Sequence, residues 1–233
     1  MQRLVLRRER VSKGGAETRS RWRVFVLWQI HKIRESFVDR FHNVDTFRGL
    51  PANVHDSAWP YRYNPTPRST LRHICEHLNL VFSQYTFIDM GAGKGRIVLA
   101  AYAFPFIDVI GVENTPMLCR IAEKNLIRCR FLRQVACEAR IVECDATEFV
   151  IPETPSVFFF RNPFNFETTN MVIRNIVDSF HRLPRDRYLV FVGISTMFDD
   201  ISRIPTLYLQ SSFDIPWGRL TKRTVSIFMI RLK

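Results

Sequence analysis

The chain has 233 residues, 46% of them hydrophobic, so it is long enough for one full-sized domain around a single core. Nowhere does it contain the roughly 18–20 uninterrupted apolar residues that a membrane span requires. Its longest early apolar run, residues 24–30, lacks the cleavage site of a secretory signal, so we predict an intracellular, cytoplasmic protein. His73 and His77 have no third ligand at metal spacing, so we expect no metal site.

The net charge of +12 is concentrated at the amino terminus. Residues 1–40 hold 11 Lys and Arg against 4 Asp and Glu, and apolar residues recur at near-helical spacing from Trp22 to Phe41. We therefore predict a basic arm and helix over residues 1–42, followed by one domain over residues 43–233. Such an arm is typical of binding to nucleic-acid phosphates or anionic lipid, of a transit peptide, or of a solvated tail.

The rest of the chain predicts an alternation of strands and helices. Residues 43–68 combine four prolines with aromatic residues, which favours an ordered extended loop, and a helix is predicted over 70–80. Alternating elements then predict a parallel sheet covered on both faces, and two final strands predict an antiparallel hairpin at one edge. The predicted strands are 86–90, 108–112, 140–144, 156–160, 188–193, 206–213 and 223–232; the predicted helices between them are 96–103, 115–130 and 167–181.

Three of the chain's 9 glycines alternate directly after the first predicted strand, in Asp89-Met90-Gly91-Ala92-Gly93-Lys94-Gly95. Glycine tolerates positive φ and allows a backbone to approach a ligand closely, so this loop is typical of nucleotide binding. It lacks the upstream glycine and the Ser or Thr of a P-loop. Arg96 stands where a dinucleotide-binding loop requires its third glycine, which disfavours that class as well.

The loop resembles the Asp-x-Gly-x-Gly-x-Gly motif of class I S-adenosylmethionine-dependent methyltransferases. Acidic residues follow the next two strands at Glu113 and Asp145, and Asn162-Pro163-Phe164 follows the fourth. The resemblance implies a Rossmann-like α/β fold with a mostly parallel seven-stranded sheet. It also implies a set of cofactor-binding residues: Tyr63, Thr66, Asp89, Gly91, Ala92, Gly93, Gly95, Arg96, Glu113, Asn114, Asp145, Ala146 and Asn162.

Each of these positions also has a structural interpretation. Asp89 is equally an ordinary loop acid, Glu113 a helix N-cap, Asp145 the cap of a short turn, and Phe164 a core aromatic. The cofactor assignment depends on their occurring together, in order, after successive strands.

Two segments resemble narrower groups within that class. Tyr63-Asn64-Pro65-Thr66 and the Asn-Pro-Phe turn are similar to segments of small bacterial methyltransferases, and Gly95-Arg96-Ile97-Val98 is similar to a segment of lysine methyltransferases of the ATP synthase c subunit. The resemblance implies that Tyr63 and Thr66 form a lid over the cofactor. It also implies that Asn162, Pro163 and Phe164 form the catalytic site, although methyltransferases of adenine or glutamine carry two prolines in the related motif.

The sequence therefore predicts an S-adenosylmethionine-dependent methyltransferase with an unidentified acceptor. A macromolecule, either nucleic acid or a protein side-chain amine, is favoured, and the basic residues 1–40 favour nucleic acid. A small-molecule methyltransferase and a catalytically silent binding protein with the same fold are the alternatives. Oligomeric state is not predicted.

Overall fold

The computed structural model describes residues 39–47, 65–129, 138–193, 197–217 and 221–231. Residues 39–41 are helical, and a short 3-10 turn spans Phe82–Gln84. The other helices are α1 (Ser69–Leu78), α2 (Arg96–Ala101), α3 (Pro116–Cys129), α4 (Phe166–Arg182) and α5 (Phe198–Ser202). The strands are β1 (Thr86–Met90), β2 (Asp108–Glu113), β3 (Glu138–Glu143), β4 (Ser156–Phe160), β5 (Arg187–Val192), β6 (Leu207–Trp217) and β7 (Thr221–Ile230).

The seven strands form one sheet in the order β3-β2-β1-β4-β5-β7-β6. β1 to β5 are parallel, β7 is antiparallel to β5, and β6 pairs antiparallel with β7 at the edge. The chain winds outward from β1 to β3 and then crosses to β4 on the other side of β1. The strand order thus reverses between β1 and β4, and in open α/β sheets the crevice at that point, beyond the carboxyl ends of the strands, is where ligands bind.

The central strands are apolar because both faces of the sheet are covered. Every residue of β1 and β4 is buried. One core packs α1, α2 and α3 on the sheet through Leu71, Val98 and Leu126, and the opposite core packs α4 and α5 through Val172 and Ile201. Burial on both faces explains why these strands are mainly apolar in the sequence, with Asp89 the one charged residue of β1.

The structure confirms the predicted fold, with seven strands, helices on both faces and an antiparallel edge pair. The bounds predicted for β1 and β4 match those observed. The predicted strand 206–213 is too short, since β6 continues through Pro216 to Trp217. The short helix α5 was not predicted. The division at residues 42 and 43 stays a prediction, because nearly all of the basic arm lies outside the described residues.

Within the described part of the chain, no helix is both long enough and apolar enough to cross a bilayer.

Candidate functional site

The loop after β1, residues 91–95 (the glycine loop), adopts a backbone that only glycine takes easily. Gly91, Gly93 and Gly95 have φ of +85°, +55° and +76°, in the left-handed region that other residues rarely adopt. Gly91 N and Ala92 N both donate to Val112 O at 2.9 Å, which anchors the loop to the carboxyl end of β2. The loop then enters α2 at Arg96.

Glu113, the last residue of β2, holds the glycine loop and the start of α3 together. Its Oε2 accepts from Gly93 N at 2.9 Å, and its Oε1 accepts from Thr115 N at 3.0 Å. The carboxylate is buried, whereas Asn114 beside it is exposed. A carboxylate has about four acceptor positions, so two backbone donors leave acceptor capacity at each oxygen.

Asp89, near the end of β1, is a buried carboxyl with only 4% of its surface exposed. Burial, reinforced by the negative charge of Glu113, raises its pKa to about 8. Desolvation disfavours the charged form of an acid, and a neighbouring carboxylate acts in the same direction. Asp89 therefore keeps its proton up to about pH 8 in the folded protein.

The segment after β4 meets the glycine loop. A Cβ added to Gly91 would come within 2.4 Å of Pro163 Cβ, so the two loops touch at the point where the strand order reverses. Asn162 is exposed and adopts φ +46°, and Phe164 packs against the core beneath α4. Asn165 begins α4, with its side chain accepting from Thr168 N at 2.8 Å. The three predicted catalytic residues thus lie beside the predicted cofactor loop.

Asp145 follows β3 and forms a small hydrogen-bonded turn. Its Oδ1 accepts from Thr147 Oγ1 at 2.6 Å and from Thr147 N at 2.8 Å, and these bonds lower the pKa of the carboxyl. Among the described residues its Oδ2 has no hydrogen-bond partner, and the side chain is exposed. Ala146 next to it is buried in the core. Asp145 therefore caps a turn and still presents one oxygen beyond the end of its strand.

Residues 39–47 (the strap) bond to side chains of the glycine loop, α2 and α3, an arrangement that the sequence did not predict. Arg96, at 3% exposure, donates from Nε to Thr66 O at 2.8 Å and from Nη1 to Thr46 Oγ1 at 2.6 Å. Its Nη1 also donates to Asp39 Oδ1 at 3.3 Å, and Phe47 lies under the guanidinium at 5.3 Å. Arg96, predicted to bind cofactor, is thus directed at the strap.

Lys94 and Asn125 also attach the strap, to the glycine loop and to α3 respectively. Lys94, with 1% exposure, forms an ion pair with Asp45 at 3.0 Å. The Asn125 amide accepts from Asp45 N and donates to both Asp45 O and Lys94 O, at distances of 2.9 to 3.0 Å. No local pattern marks Asp45 or Asn125, since their partners are far away in the chain. Tyr63, predicted to share a lid with Thr66, lies outside the described residues.

A cluster of two arginines and a tryptophan includes Arg161, the first residue of the segment after β4. The guanidinium carbon of Arg161 is 4.8 Å from the centre of the Trp217 ring, and that of Arg223 is 6.0 Å from the same ring. Burial, and then the charge of Arg223, lower the pKa of Arg161. No motif in the sequence indicates this cluster, because Arg161 lies 56 positions before Trp217, whereas Trp217 and Arg223 lie on one hairpin.

Among the described residues, no group of three or more His, Cys, Asp and Glu side chains is placed to hold a metal ion. The ring of His77 is instead stacked on Phe213, with 3.6 Å between ring centres.

Solved structures share this architecture. No family model matches the chain. A protein of Pyrococcus horikoshii assigned as an RNA methyltransferase is 18% identical, with a TM-score of 0.50 over 77% of this chain and 89% of that one. The Escherichia coli protein yhhF, assigned as a methyltransferase, is 15% identical, with a TM-score of 0.52 over 80% and 94%. An S-adenosylmethionine-dependent methyltransferase of Methanosarcina mazei is 14% identical, with a TM-score of 0.50 over 68% and 98%.

One curated protein also resembles part of the chain. It is the histone-lysine N-methyltransferase of Drosophila melanogaster specific for lysine 79 of histone H3, 29% identical over 127 residues. That match covers 50% of this chain and only 7% of the length of the fly protein.

These likenesses establish a fold. The chain has the fold of the class I S-adenosylmethionine-dependent methyltransferases, as its glycine loop and the alternation of predicted strands and helices indicated.

Proposed function

We propose that this protein is an S-adenosylmethionine-dependent methyltransferase that acts on a macromolecule. The observation that carries the proposal is the meeting of the glycine loop and Asn162-Pro163-Phe164 where the strand order reverses, with Gly91 in contact with Pro163. In this fold that crevice receives the nucleotide part of a ligand. The fold and the loop support the proposal together, since either alone fits several classes of protein.

The residues around the crevice fit the cofactor. The three positive-φ glycines leave a backbone surface without side chains after β1, where the methionine part would lie. Glu113, with acceptor capacity remaining at the end of β2, is suited to the two ribose hydroxyls. Asp145 Oδ2 is suited to the adenine amino group, whereas the predicted contact of Ala146 with the ring stays a prediction because that side chain is buried in the core.

The protein's own contribution is to position the reactants and exclude water. The bound cofactor supplies an activated methyl group on a sulfonium, and transfer is an in-line displacement. Asn162, exposed beside the loop, is placed to accept a hydrogen bond from the acceptor and orient it. Pro163 fixes the distance between the two loops through its contact with Gly91. Arg96 and Lys94 hold the strap against the loop, and we assign them a positioning role.

A macromolecular acceptor is favoured by the chain's charge and by its relatives. The net charge of +12 suits a polyanion. The Pyrococcus protein is assigned as an RNA methyltransferase, and the fly protein methylates a lysine of a histone. A cytoplasmic location stays our prediction from the sequence.

Calorimetric titration of S-adenosylmethionine into the purified chain tests the cofactor assignment. We expect measurable binding by the wild-type chain and at least about tenfold weaker binding by Gly93→Val, whose side chain enters the glycine loop at a left-handed position. Gly193→Val is the matched control, because Gly193 also has positive φ but lies after β5, away from that loop. Absence of binding by the wild-type chain would reject the proposal in favour of a silent fold.

Incubation with methyl-labelled cofactor and fractionated cell extract tests the acceptor class. We expect label in RNA, DNA or protein. Label confined to small molecules would reject a macromolecular acceptor and leave the cofactor assignment intact.

A further inference from the structure

The arginine–tryptophan cluster (Arg161, Trp217 and Arg223) lies near the carboxyl ends of β4 and β5, where the methyl acceptor must approach. Arg161 directly precedes Asn162, one residue beyond β4. Gly193, one residue beyond β5, donates from its N to Thr224 O at 2.9 Å, which places Arg223 beside the end of that strand. Trp217 is the last residue of β6 and pairs with Thr221, so it lies at the same end of the sheet as the carboxyl ends of β4 and β5.

The two positive charges of the cluster are not neutralised within the described part of the protein. Neither Arg161 nor Arg223 has a carboxylate oxygen within ion-pair distance among these residues. Arg161 Nε is buried and has no hydrogen-bond acceptor there. A buried donor without a partner is costly, and more so when it is charged. The lowered pKa of Arg161, caused by burial and by Arg223, reflects the same uncompensated positive charge.

The geometry of the cluster suits a phosphate. Guanidinium groups present donors in a planar fork that pairs with phosphate oxygens, and stacking on an aromatic ring holds that fork in a fixed orientation. The Trp217 ring lies 4.8 Å and 6.0 Å from the two guanidinium carbons, so the arginines already occupy space beside the ring that a stacked base would need. The cluster is therefore organised for an anion and not for stacking.

We propose that Arg161 and Arg223 bind a phosphate group of a nucleic-acid acceptor and so deliver the neighbouring base to Asn162. This inference rests on the proposed methyltransferase function and identifies its substrate class. A lysine side chain is disfavoured as acceptor, because its ammonium would approach two uncompensated guanidinium groups. A nucleic acid also carries a phosphate at every nucleotide, so one strand reaches both the cluster and other basic residues of a chain with net charge +12.

The test measures binding of a fluorescein-labelled single-stranded RNA of mixed sequence to the full chain as salt is varied. For Arg161→Gln/Arg223→Gln we expect several-fold weaker binding and a logarithmic salt slope that is shallower by about 0.7 for each phosphate that the variant no longer neutralises. The matched control is Arg182→Gln/Arg185→Gln. This control removes the same charge from exposed residues just before β5, at the amino-terminal end of that strand. It should leave RNA affinity almost unchanged.

Two further measurements separate the outcomes. Arg161→Lys/Arg223→Lys keeps the charge, so it should retain the salt slope even where the glutamine pair folds poorly. Unchanged RNA affinity in the glutamine pair, or a shallower slope in the lysine pair, overturns the phosphate site. Polyglutamate that binds in a cluster-dependent way while RNA does not would assign the site to an acidic protein and overturn the proposal. Calorimetry with S-adenosylmethionine on the same samples shows separately whether the methyltransferase assignment fails.

Discussion

Gly91 and Pro163 lie so close that a Cβ on Gly91 would come within 2.4 Å of Pro163 Cβ. This contact joins the loop after β1 to the loop after β4, which are 72 positions apart in the chain. It also sets the separation between the surface that would hold the cofactor and the turn that would hold the acceptor. A side chain at Gly91 would therefore push apart the two halves of the site.

Gly91→Ala should weaken S-adenosylmethionine binding at least about tenfold and lower the free energy of unfolding by more than the strain of its φ alone. Gly193→Ala separates the two effects, since its φ of +77° is similar but its Cβ would be 3.6 Å from the nearest atom, Arg223 Cδ. We expect Gly193→Ala to lose about 1–2 kcal/mol of stability and no cofactor affinity. Calorimetry and urea unfolding measure both quantities, and equal cofactor affinity in the two variants would contradict the role of the Gly91 contact.

Asp89 should make the stability of the cofactor-free protein fall as pH rises. Its pKa is about 8 in the folded protein, above the ordinary value of 3.8, because it is buried next to Glu113. Between about pH 4 and pH 8 the unfolded chain has lost a proton that the folded chain keeps. This carboxyl's contribution is therefore fully present below pH 4 and declines by up to about 1.4 kcal/mol for each pH unit until about pH 8.

Asp89→Asn removes that dependence. In urea unfolding at pH 4 to 9, the free energy of unfolding of the variant should therefore rise relative to that of wild type as pH rises to about 8. Asp145→Asn is the control, because its difference from wild type should stay constant over this pH range. Hydrogen bonds from Thr147 lower the pKa of Asp145, so its contribution is present above the ordinary value and lost as pH falls through the lowered one. A wild-type minus Asp89→Asn difference that stays constant from pH 4 to 8 would show that Asp89 does not titrate there.

Asp39 should be important for stability because its carboxylate is the buried acceptor that joins the strap to α2. It accepts from Thr46 N at 2.6 Å and pairs with Arg96 at 3.3 Å, and both charged side chains are less than one-tenth exposed. Removing one partner of a buried pair costs about 3–5 kcal/mol. We expect Asp39→Ala to lose that much in urea unfolding. Because the strap holds Lys94 and Arg96, we also expect weaker cofactor binding.

Arg140→Ala provides the comparison for an exposed ion pair. Arg140 pairs with Asp108 across β2 and β3, but its side chain is 50% exposed, so we expect a loss below about 1 kcal/mol. A loss of similar size in the two variants would mean that the strap does not depend on the buried carboxylate.

The sequence predicted β1 and β4 to the residue because both are buried on both faces, which makes them mainly apolar, although β1 also carries the buried Asp89. It failed at β6, which continues beyond the predicted end at residue 213 and through Pro216 to Trp217. The strand continues there because β6 is at the edge of the sheet, and an edge strand tolerates a residue without an N–H.

Contacts between residues far apart in the chain were the other feature that the sequence did not predict. Arg96 was predicted to bind cofactor, which stays a prediction, and no local pattern indicated that its guanidinium binds Asp39, 57 positions earlier. Arg161, after β4, likewise meets the β6–β7 hairpin that carries Trp217 and Arg223 only because of the strand order β4-β5-β7-β6. Periodicity and motifs report on neighbours in the chain, so contacts that arise from the order of the strands leave no local sign.

Asn162 offers the sharpest test of the proposed acceptor site, provided that its backbone is controlled. Its φ of +46° means that Asn162→Ala both removes the amide and strains the turn. Asn162→Gly removes the amide alone, because glycine adopts this conformation freely. If the amide orients the acceptor, methyl transfer to the labelled fraction should fall about 100-fold in both variants, with cofactor affinity within about twofold of wild type.

Asn165→Ala is the neighbouring control, since it removes the N-cap of α4 and should cost about 1 kcal/mol of stability with little effect on transfer. Full transfer by Asn162→Gly together with loss of transfer by Asn162→Ala would assign the effect to the backbone of the turn. A fall in cofactor affinity as large as the fall in transfer would instead place Asn162 in the cofactor site. Only loss of transfer in both variants at constant cofactor affinity is compatible with an amide that acts on the acceptor.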